Sequence, residues 1–513
     1  MRFSDTKNVC CASSNALARA VVRSCKNIKI KAVSSVVSLG TEFAAGTRRR
    51  TGKSRRRLAA FAARRHRFEV LRRARVDTGK LLRTGGVSAL TYGQKALGVS
   101  PSVLLAQRRA ASAANCIRAC GADLDMSLII ADDFVGHAAD PAFEAHLGVI
   151  LMWALCVYEQ WFPMTLLVKV LASAEARMER ARFAWNQVYG PTAALVLTLR
   201  RIGWSLTTAS QVVTDMGTTL DLMRDSPEYV KGAVCGAVSR WRWNRIEKRL
   251  PAISSEGQGL GVWLAPITSA LRMPNSETWG PEHKGALKSA MANRQWTQQR
   301  LHSAALVESP LCQLCLGMAG GNQIGSAVHR LTCPALQQFR DQFMPKWIGD
   351  RIHARNGTYS AVEHCALTRG LVAAPLVLSR AEELYDSFHW HVCLDDIPFG
   401  CSVFTDGSLL DGRLGVQCIA LGWAFLVVDS RGHVVASASG APPRWVDTIQ
   451  GAELWAVQMA LSSVPFPSVL YTDCKQYSRG FAVVKLGPTR QSGAMRGCGL
   501  RCIHCWTRVM GLT

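Results

Sequence analysis

The sequence predicts a multidomain chain, with a mainly α-helical N-terminal region and a C-terminal α/β domain built on a mixed sheet flanked by helices. Two patterns and the chain length support this prediction. Apolar residues recur at helical spacing through 173–249 and again after the loop at 254–261. Between about 401 and 480, short alternating segments bounded by turn residues are typical of strands around one helix. A length of 513 residues allows two to four domains, and 48% hydrophobic residues are enough for packed cores.

The composition along the chain predicts five segments. They are a basic N-terminal segment (1–80), a helical domain (81–255), a helical segment with a cysteine–histidine motif (256–345), a helical linker (346–400) and the α/β domain (401–513), whose end is atypical or truncated. The boundary near 255 rests on the Gly/Ser-rich loop 254–261.

Strong positive charge is the main clue to a partner. The formal net charge is +25 and the pI is about 9.8, which indicates a polyanion, with nucleic acid first and an anionic membrane second. We assign nucleic-acid binding to the densest basic run, which comprises Arg48, Arg49, Arg50, Arg55, Arg56 and Arg57. The same run is also compatible with a solvated helix face or a nuclear address. Binding by such a run would be sensitive to salt and largely blind to sequence.

Two apolar features are interpreted as core. The window 147–170 contains only about twelve uninterrupted apolar residues, fewer than the ~20 that span a bilayer, so we predict a buried helix and no membrane partner. Trp185, Trp204, Trp241 and Trp243 recur among arginines. Aromatic rings beside arginine can stack on bases, but at helical spacing tryptophan is more often core. We expect these four to be core residues.

Cysteine usage indicates a reducing compartment. The eighteen cysteines are scattered rather than spaced as a disulfide framework, and we find no secretory signal before them. The protein is therefore expected to be nuclear or cytoplasmic and not secreted. The first 39 residues resemble an organellar transit peptide in composition; the alternative is that the chain starts inside a larger ancestral protein.

One cysteine–histidine motif predicts a structural zinc ion. Cys312, Cys315, His329 and Cys333 follow the spacing Cys-x2-Cys-x13-His-x3-Cys. Two thiolates on a tight turn, with a histidine and a cysteine one helical turn apart, suit tetrahedral Zn²⁺. Four protein ligands leave no open position, so the ion would be structural. Gly317, Gly320, Gly321 and Gly325 are interpreted as keeping the intervening loop flexible.

Three carboxylates predict a second metal site. Asp406 follows the apolar pair Val403-Phe404, Glu453 lies in a run with helical apolar spacing, and Asp473 ends a second strand-like run. Carboxylates that converge at one sheet edge are ligands that Mg²⁺ prefers. Two such ions roughly 4 Å apart can activate a water and stabilise a leaving phosphodiester oxygen. The sequence thus predicts two Mg²⁺ or Mn²⁺ ions and no small-molecule cofactor.

The order Thr-Asp-Gly-Ser (405–408), a two-strand meander, Ala-Glu-Leu (452–454) and Tyr-Thr-Asp (471–473) resembles type 1 ribonuclease H. The resemblance covers about 403–481 and implies a ribonuclease H-like fold that cleaves the RNA strand of RNA–DNA hybrids. It also implies that Asp406 bridges both metals, that Glu453 and Asp473 each complete one shell, and that Gly407 and Ser408 contact substrate. The family carries a fourth carboxylate near its C-terminal helix, whereas no Asp or Glu follows Asp473 here.

A second resemblance concerns the rest of the chain. Leu39-Gly40-Thr41-Glu42-Phe43, the segment 86–109 and the cysteine–histidine motif are similar, in that order, to the region after the polymerase domain of non-LTR retroelement reverse transcriptases. This implies that 1–80 is a post-polymerase remnant and that the motif is the family's small zinc-binding module. A catalytically inactive nucleic-acid-binding remnant remains the alternative to a nuclease. The sequence does not predict an oligomeric state.

Overall fold

A computed structural model gives the fold. It describes residues 8–12, 14–25, 29–38, 40–44, 49–74, 76–115, 121–134, 136–254, 259–319, 321–354, 359–374, 385–393, 397–410, 420–443, 445–464 and 469–472. The chain divides into two compact units, an N-terminal unit, Met1–Leu376, and a C-terminal unit, Val377–Thr513. Each is described by itself.

The described part of the N-terminal unit is mainly helical, as predicted. Its helices are α1 Asn15–Ser24, α2 Gly52–Ala62, α3 Arg65–Arg73, α4 Thr78–Leu81, α5 Val87–Thr91, α6 Gln94–Leu97, α7 Pro101–Ala114, α8 Leu124–Ala131, α9 Pro141–Tyr158, α10 Met164–Arg180, α11 Pro191–Arg201, α12 Pro227–Glu247, α13 Ala265–Arg272, α14 Pro281–Met291, α15 Gln298–Ser303, α16 His329–Thr332, α17 Gln337–Phe343, α18 Lys346–Ala354 and α19 Ala361–Arg369. Its strands are β1 Val9–Cys10, β2 Lys31–Ala32, β3 Ser35–Ser38, β4 Thr41–Ala44, β5 Ser205–Leu206, β6 Gln211–Val213 and β7 Thr219–Asp221. Short 3₁₀ turns and one π turn complete it: Ala184–Gln187, Pro251–Ile253, Pro334–Leu336 and Leu82–Gly86.

Helix α9 is the centre of the larger core. It packs against α11 and α12, and Trp153 on it donates its indole N–H to the carbonyl of Ala209 at 3.0 Å. Among the described residues it is the one helix long and apolar enough to cross a membrane, and two-thirds of its apolar window is buried inside the protein. The expected buried helix is therefore present. The length and composition of α9 fit a core helix as well as a membrane span.

The prediction that the four tryptophans belong to the core is confirmed. Trp204 and Trp243 are buried, and Trp185 and Trp241 are partly buried and pack against the same cluster as α9. One prediction for this region was wrong in detail. The segment 173–249 is not uniformly helical, because a three-stranded antiparallel sheet, β5-β6-β7, interrupts it. Its strands are only two or three residues long, too short to show a period of two in the sequence.

A second core crosses the predicted boundary at 255. Met126 and Ile246 pack there with Ile267, Met291 and Leu371. Gly261, in the loop predicted as a domain boundary, has a φ of +71° and lies against Trp243, so a side chain there would have no room. Residues of 81–255 and of 256–345 thus share one core, and Gly259 and Gly261, in the described part of the loop between them, are buried.

Buried ion pairs join α7, α8, α9 and α12. Arg108 donates to both carboxylate oxygens of Asp140, at 2.9 and 2.7 Å, and its third nitrogen lies 2.7 Å from Asp125. Arg242 of α12 lies 3.3 Å from Asp132. All five of these side chains are almost completely buried. Burial of paired charges fixes geometry because each group needs its partner to offset the loss of water.

The C-terminal unit contains a five-stranded mixed sheet. Its described elements are β8 His389–Cys393, β9 Ser402–Leu410, β10 Ala420–Val428, β11 Val434–Gly440, α20 Ile449–Ser463 and β12 Val469–Thr472, and the strand order is β12-β9-β10-β11-β8. Strand β12 is parallel to β9, and the other neighbours are antiparallel. The strands predicted at 421–428 and 433–438 and the helix around Glu453 are confirmed. Strand β8 lies in the segment predicted as a helical linker, so this sheet begins before 401.

Candidate functional site

Strand β9 carries Asp406 and helix α20 carries Glu453, two of the three predicted carboxylates. Val403, Thr405 and Gly407 of β9 are buried on one face of the sheet, whereas Asp406 points to the other face and is exposed. Helix α20 begins after Thr448, whose hydroxyl accepts a hydrogen bond from the Gly451 amide at 3.1 Å and caps the helix. Glu453 lies in the first turns of this helix and is partly exposed.

Gly407 is the point of contact between the strand and the helix. A β-carbon on residue 407 would lie 2.8 Å from the carbonyl carbon of Ala452 and 2.8 Å from the Cα of Glu453. No side chain fits there, so only glycine lets the two backbones approach. Asp406 is therefore one residue along β9 from a direct contact with the Glu453 backbone.

Among the described residues, no cation pairs with either carboxylate. No ion pair or hydrogen bond joins Asp406 or Glu453 to another side chain in the part of the chain that the structure describes. Carboxylates at the surface normally keep water, and these two remain free to accept from a ligand.

The third predicted carboxylate, Asp473, lies outside the described residues. The last described residue before it is Thr472, which pairs with Thr405 of β9 in parallel register. The Thr405 hydroxyl donates to the Tyr471 carbonyl at 3.4 Å, which joins the two strands just before Asp406. Ser408, assigned to substrate contact, is exposed at the next outward position of β9 after Asp406.

The four residues of the predicted zinc motif meet in the N-terminal unit. Cys312, Cys315, His329 and Cys333 are all buried, and their ligand atoms lie within 4.8 Å of one another. The Sγ atoms of Cys312 and Cys333 are 3.9 Å apart, and Cys315 Sγ is 3.3 Å from His329 Nε2. Tetrahedral zinc with its usual bond lengths requires about 3.8 Å between two sulfurs and about 3.6 Å between sulfur and nitrogen. This cysteine–histidine cluster therefore fits a zinc ion.

The histidine of the cluster is oriented by a neighbour. Its Nδ1 lies 3.0 Å from the side-chain oxygen of Gln323, so Nδ1 carries the proton and Nε2 is left to coordinate. Burial lowers the pKa of His329, and Arg340 adds to the effect, which favours the neutral ring that a metal needs.

The cluster's thiols respond to the same surroundings. Burial would raise the pKa of Cys312, but the backbone N–H groups of Cys315 and Leu314 donate to its sulfur, and its pKa is lowered. Burial and the adjacent thiols of Cys312 and Cys333 raise the pKa of Cys315. Without a cation the thiols cannot all ionise together, and a bound zinc ion would hold them as thiolates.

The loop between the two pairs of ligands is held by packing. A β-carbon on Gly325 would lie 2.7 Å from the side chain of Gln298 and 3.2 Å from the Cα of Cys312, and Gly321 lies against the Cys315 carbonyl. The Cys312 amide also donates to the Gln323 carbonyl at 2.9 Å. Gly321 and Gly325 therefore permit close approach, in contrast to the expected flexible loop; Gly317 has a φ of +83°, and Gly320 lies outside the described residues.

The basic run is divided between internal and exposed arginines. Arg49 donates to the Leu97 carbonyl at 3.0 Å, and Arg57 donates to the carbonyls of Gly40 and Tyr92 at 2.6 and 2.8 Å. These two side chains join parts of the fold. Arg50, Arg55 and Arg56 are exposed and available to a polyanion, and Arg48 lies outside the described residues.

Two features of these sites were missed from the sequence. Gln323 has no motif of its own, and only the fold places it beside His329. The internal role of Arg49 and Arg57 was also hidden, since an arginine that bonds a carbonyl and one that faces solvent look alike in a basic run.

No protein-family model matches the sequence, and no curated protein or solved structure is significantly similar to it.

Proposed function

We propose that the C-terminal unit is a ribonuclease H-type endonuclease that hydrolyses the RNA strand of RNA–DNA hybrids with Mg²⁺ or Mn²⁺. The observation that supports this proposal is the contact of Gly407 with the first turns of α20, because Gly407 is the neighbour of Asp406 and the contact is with the backbone of Glu453. Two free carboxylates on a rigid strand–helix junction are a suitable start for a divalent-metal site.

The order of the elements supports the proposal. Strand β9, a meander through β10 and β11, helix α20 and the parallel strand β12 follow the order of motifs on which the resemblance rests. Strand β12 runs beside β9 and ends in register with Thr405, and Asp473 is the next residue in the sequence. Asp406, Glu453 and Asp473 are thus the residues that would hold the ions.

Each residue has a proposed role. Asp406 would be shared by both ions, with Glu453 and Asp473 each completing one shell. When bound, such ions supply an activated water and stabilise the leaving oxygen. Gly407, predicted to contact substrate, is instead buried against α20 and keeps the strand close to the helix. The exposed Ser408 is the residue of this pair that would contact the sugar–phosphate backbone of a hybrid. Recognition would use backbone shape and 2′-hydroxyls rather than base edges.

The N-terminal unit would serve as a nucleic-acid-binding part derived from a non-LTR retroelement protein. Its cysteine–histidine cluster would hold a structural zinc ion, and the exposed Arg50, Arg55 and Arg56 would contact phosphates.

A second function is favoured by one observation. No Asp or Glu follows Asp473 in the sequence, so the fourth carboxylate of the resemblance has no counterpart there. A protein with this sheet and zinc cluster but without turnover would bind hybrids and leave them intact.

Cleavage of a labelled RNA–DNA hybrid by the full chain with Mg²⁺ or Mn²⁺ distinguishes the two. The comparison uses Asp406→Asn and, as a matched control, Asp447→Asn, an exposed acid in the loop before α20. The nuclease proposal requires RNA-strand cleavage by wild type and the control and not by Asp406→Asn. Binding at low salt without cleavage by any of them would establish the remnant function instead.

A further inference from the structure

The N-terminal unit contains a cleft of about 550 Å³. Its walls come from the 3₁₀ turn Pro251–Ile253, from α14, α15 and α19, and from the loop that leads to His329. This volume is within the range of small-ligand sites, roughly 300–1,000 Å³. The cleft lies entirely in the N-terminal unit and does not depend on the proposed nuclease site.

The charge of the cleft has one sign. Among its described lining residues, Arg300 and Arg369 carry a positive charge, His364 is a third basic residue, and none is an Asp or Glu. His364 is exposed on the first turns of α19. A lining of this kind favours an anionic group.

Arg369 has an incompletely satisfied side chain. Its Nη2 donates to the Met291 carbonyl, but its Nε is buried and has no hydrogen-bond partner in the described structure. Burial lowers the pKa of Arg369, and the nearby Arg249 and Arg300 add to this, while Cys365 and Asp123 offset part of it. A buried donor without a partner costs free energy, which an incoming acceptor would recover.

Neutral polar groups complete the cleft. Asn293, Gln299 and Ser303 are exposed on its walls and offer donors and acceptors in the same space as the arginines. Amides and hydroxyls can bond the edge of a heterocycle or a sugar, whereas a guanidinium group attracts phosphate oxygens. Arg300 contributes its charge, because both of its terminal nitrogens already donate to the backbone carbonyls of Gly121, Asn293 and Gln295.

We propose that this cleft binds one nucleoside phosphate unit, either as a free nucleotide or as the 5′-phosphorylated end of a strand. The phosphate lies toward Arg369 and Arg300, and the nucleoside lies toward Asn293, Gln299 and Ser303.

The cysteine–histidine cluster supports one wall of the cleft. Ser326 and Ala327 line it, and they lie between Gly325, which packs on Cys312, and His329. Metal removal would release the His329 end of this short segment, whereas backbone hydrogen bonds with Pro310 and Gln299 hold the Gly325 end. Chelation of zinc is therefore expected to weaken binding in the cleft as well.

The test places a negative charge on the wall without removing a structural bond. Ala361 lines the cleft and is the exposed first residue of α19, where a glutamate is favourable to the helix dipole. Val362 is exposed, is next in the same helix turn and is not part of the lining, so Val362→Glu is the matched control. Binding of AMP to the full chain is measured by calorimetry, with adenosine as the probe that lacks phosphate.

AMP is expected to bind wild type and Val362→Glu alike, to bind Ala361→Glu about tenfold more weakly, and to bind better than adenosine. Three results would each overturn the proposal. They are equal AMP affinity of the two glutamate variants, adenosine binding as tight as that of AMP, and binding of neither AMP nor a short 5′-phosphorylated strand to wild type. If the strand binds more tightly than AMP and keeps the Ala361→Glu sensitivity, the strand end is the ligand; equal affinities identify the free nucleotide.

Discussion

Gly407 and Glu453 are in backbone contact, with room for no side chain between strand β9 and helix α20. The contact fixes the height of the helix on the sheet and, with it, the position of the Glu453 backbone above β9. The glycine of Thr-Asp-Gly-Ser is therefore required for the packing of α20 on β9.

Gly407→Ala is expected to push α20 away from β9 and to destabilise the C-terminal unit by about 1–3 kcal/mol, the usual cost of overpacking. Hydrogen exchange of the full chain should show faster exchange in peptides from β9 and α20. Gly285→Ala is the control, because a β-carbon at that helical position of α14 meets nothing within 4 Å. Unchanged exchange in α20 would show that the contact does not hold the helix.

The bidentate ion pair of Arg108 and Asp140 predicts a large loss of stability when Asp140 is replaced by an amide. Asp140→Asn removes one of the two carboxylates that pair with the buried Arg108 guanidinium, and we expect the free energy of unfolding to fall by about 3–5 kcal/mol. Glu228→Gln breaks the exposed pair with Lys231 and is expected to cost at most about 1 kcal/mol. Denaturant titration of both variants measures the difference. Similar small losses would mean that the buried pair contributes little.

His146 predicts a dependence of stability on pH. The ring is fully buried, and burial, with Arg201 nearby, lowers its pKa to about 3, while the Ala142 carbonyl at 2.6 Å and Asp140 oppose this and Arg108 again lowers it. Below about pH 6.5 the His146 ring takes up a proton in the unfolded chain but not in the folded chain, so the free energy of unfolding decreases as pH falls below 6.5.

The expected loss is about 1.4 kcal/mol for each pH unit below 6.5. The measurement is the free energy of unfolding of wild type minus that of His146→Gln, followed from pH 7.5 to 5. This difference should decrease as the pH is lowered from 7.5 to 5. The free energy of unfolding of His66→Gln, a change at an exposed histidine, should remain equal to that of wild type over the same range. A constant difference for His146→Gln would contradict a neutral buried ring.

Gln323 predicts a graded effect on zinc. Loss of the acceptor that holds His329 Nδ1 in Gln323→Leu should weaken zinc binding roughly 10–100-fold, while Gln323→Glu keeps an acceptor and should retain affinity. Competition with a chromogenic chelator measures both. Equal weakening in the two variants would indicate a packing effect rather than the hydrogen bond to the histidine.

Local sequence patterns predicted the elements around the two sites. Strands β10 and β11 and helix α20 are recognisable because their apolar periods are uninterrupted, and the two strands also pair with each other as chain neighbours. The four ligands of the cysteine–histidine cluster are close in sequence, so their spacing alone predicted that they meet. Asp140-Pro141 has the composition of a helix start, and α9 begins there.

Other features depend on long-range contacts. Strand β8 contains two histidines and pairs with β11 more than forty residues later, so its own composition does not reveal a strand. Arg108, Asp125 and Asp140 have the composition of surface residues, and only the packing of four helices shows that they are buried. The cleft near Arg369 combines residues from 250 to 369, which no sequence window contains.

Binding of Mn²⁺ to the carboxylates tests the central claim most directly, and electron paramagnetic resonance of the full chain measures it without requiring turnover. Wild type and the control Asp447→Asn are expected to bind Mn²⁺ alike, and Mg²⁺ should displace the bound Mn²⁺ by competition. Asp406→Asn and Glu453→Gln should each lose most of the Mn²⁺ binding. Mn²⁺ binding that is the same in all four proteins, or absent from wild type, would contradict a metal site built on Asp406 and Glu453.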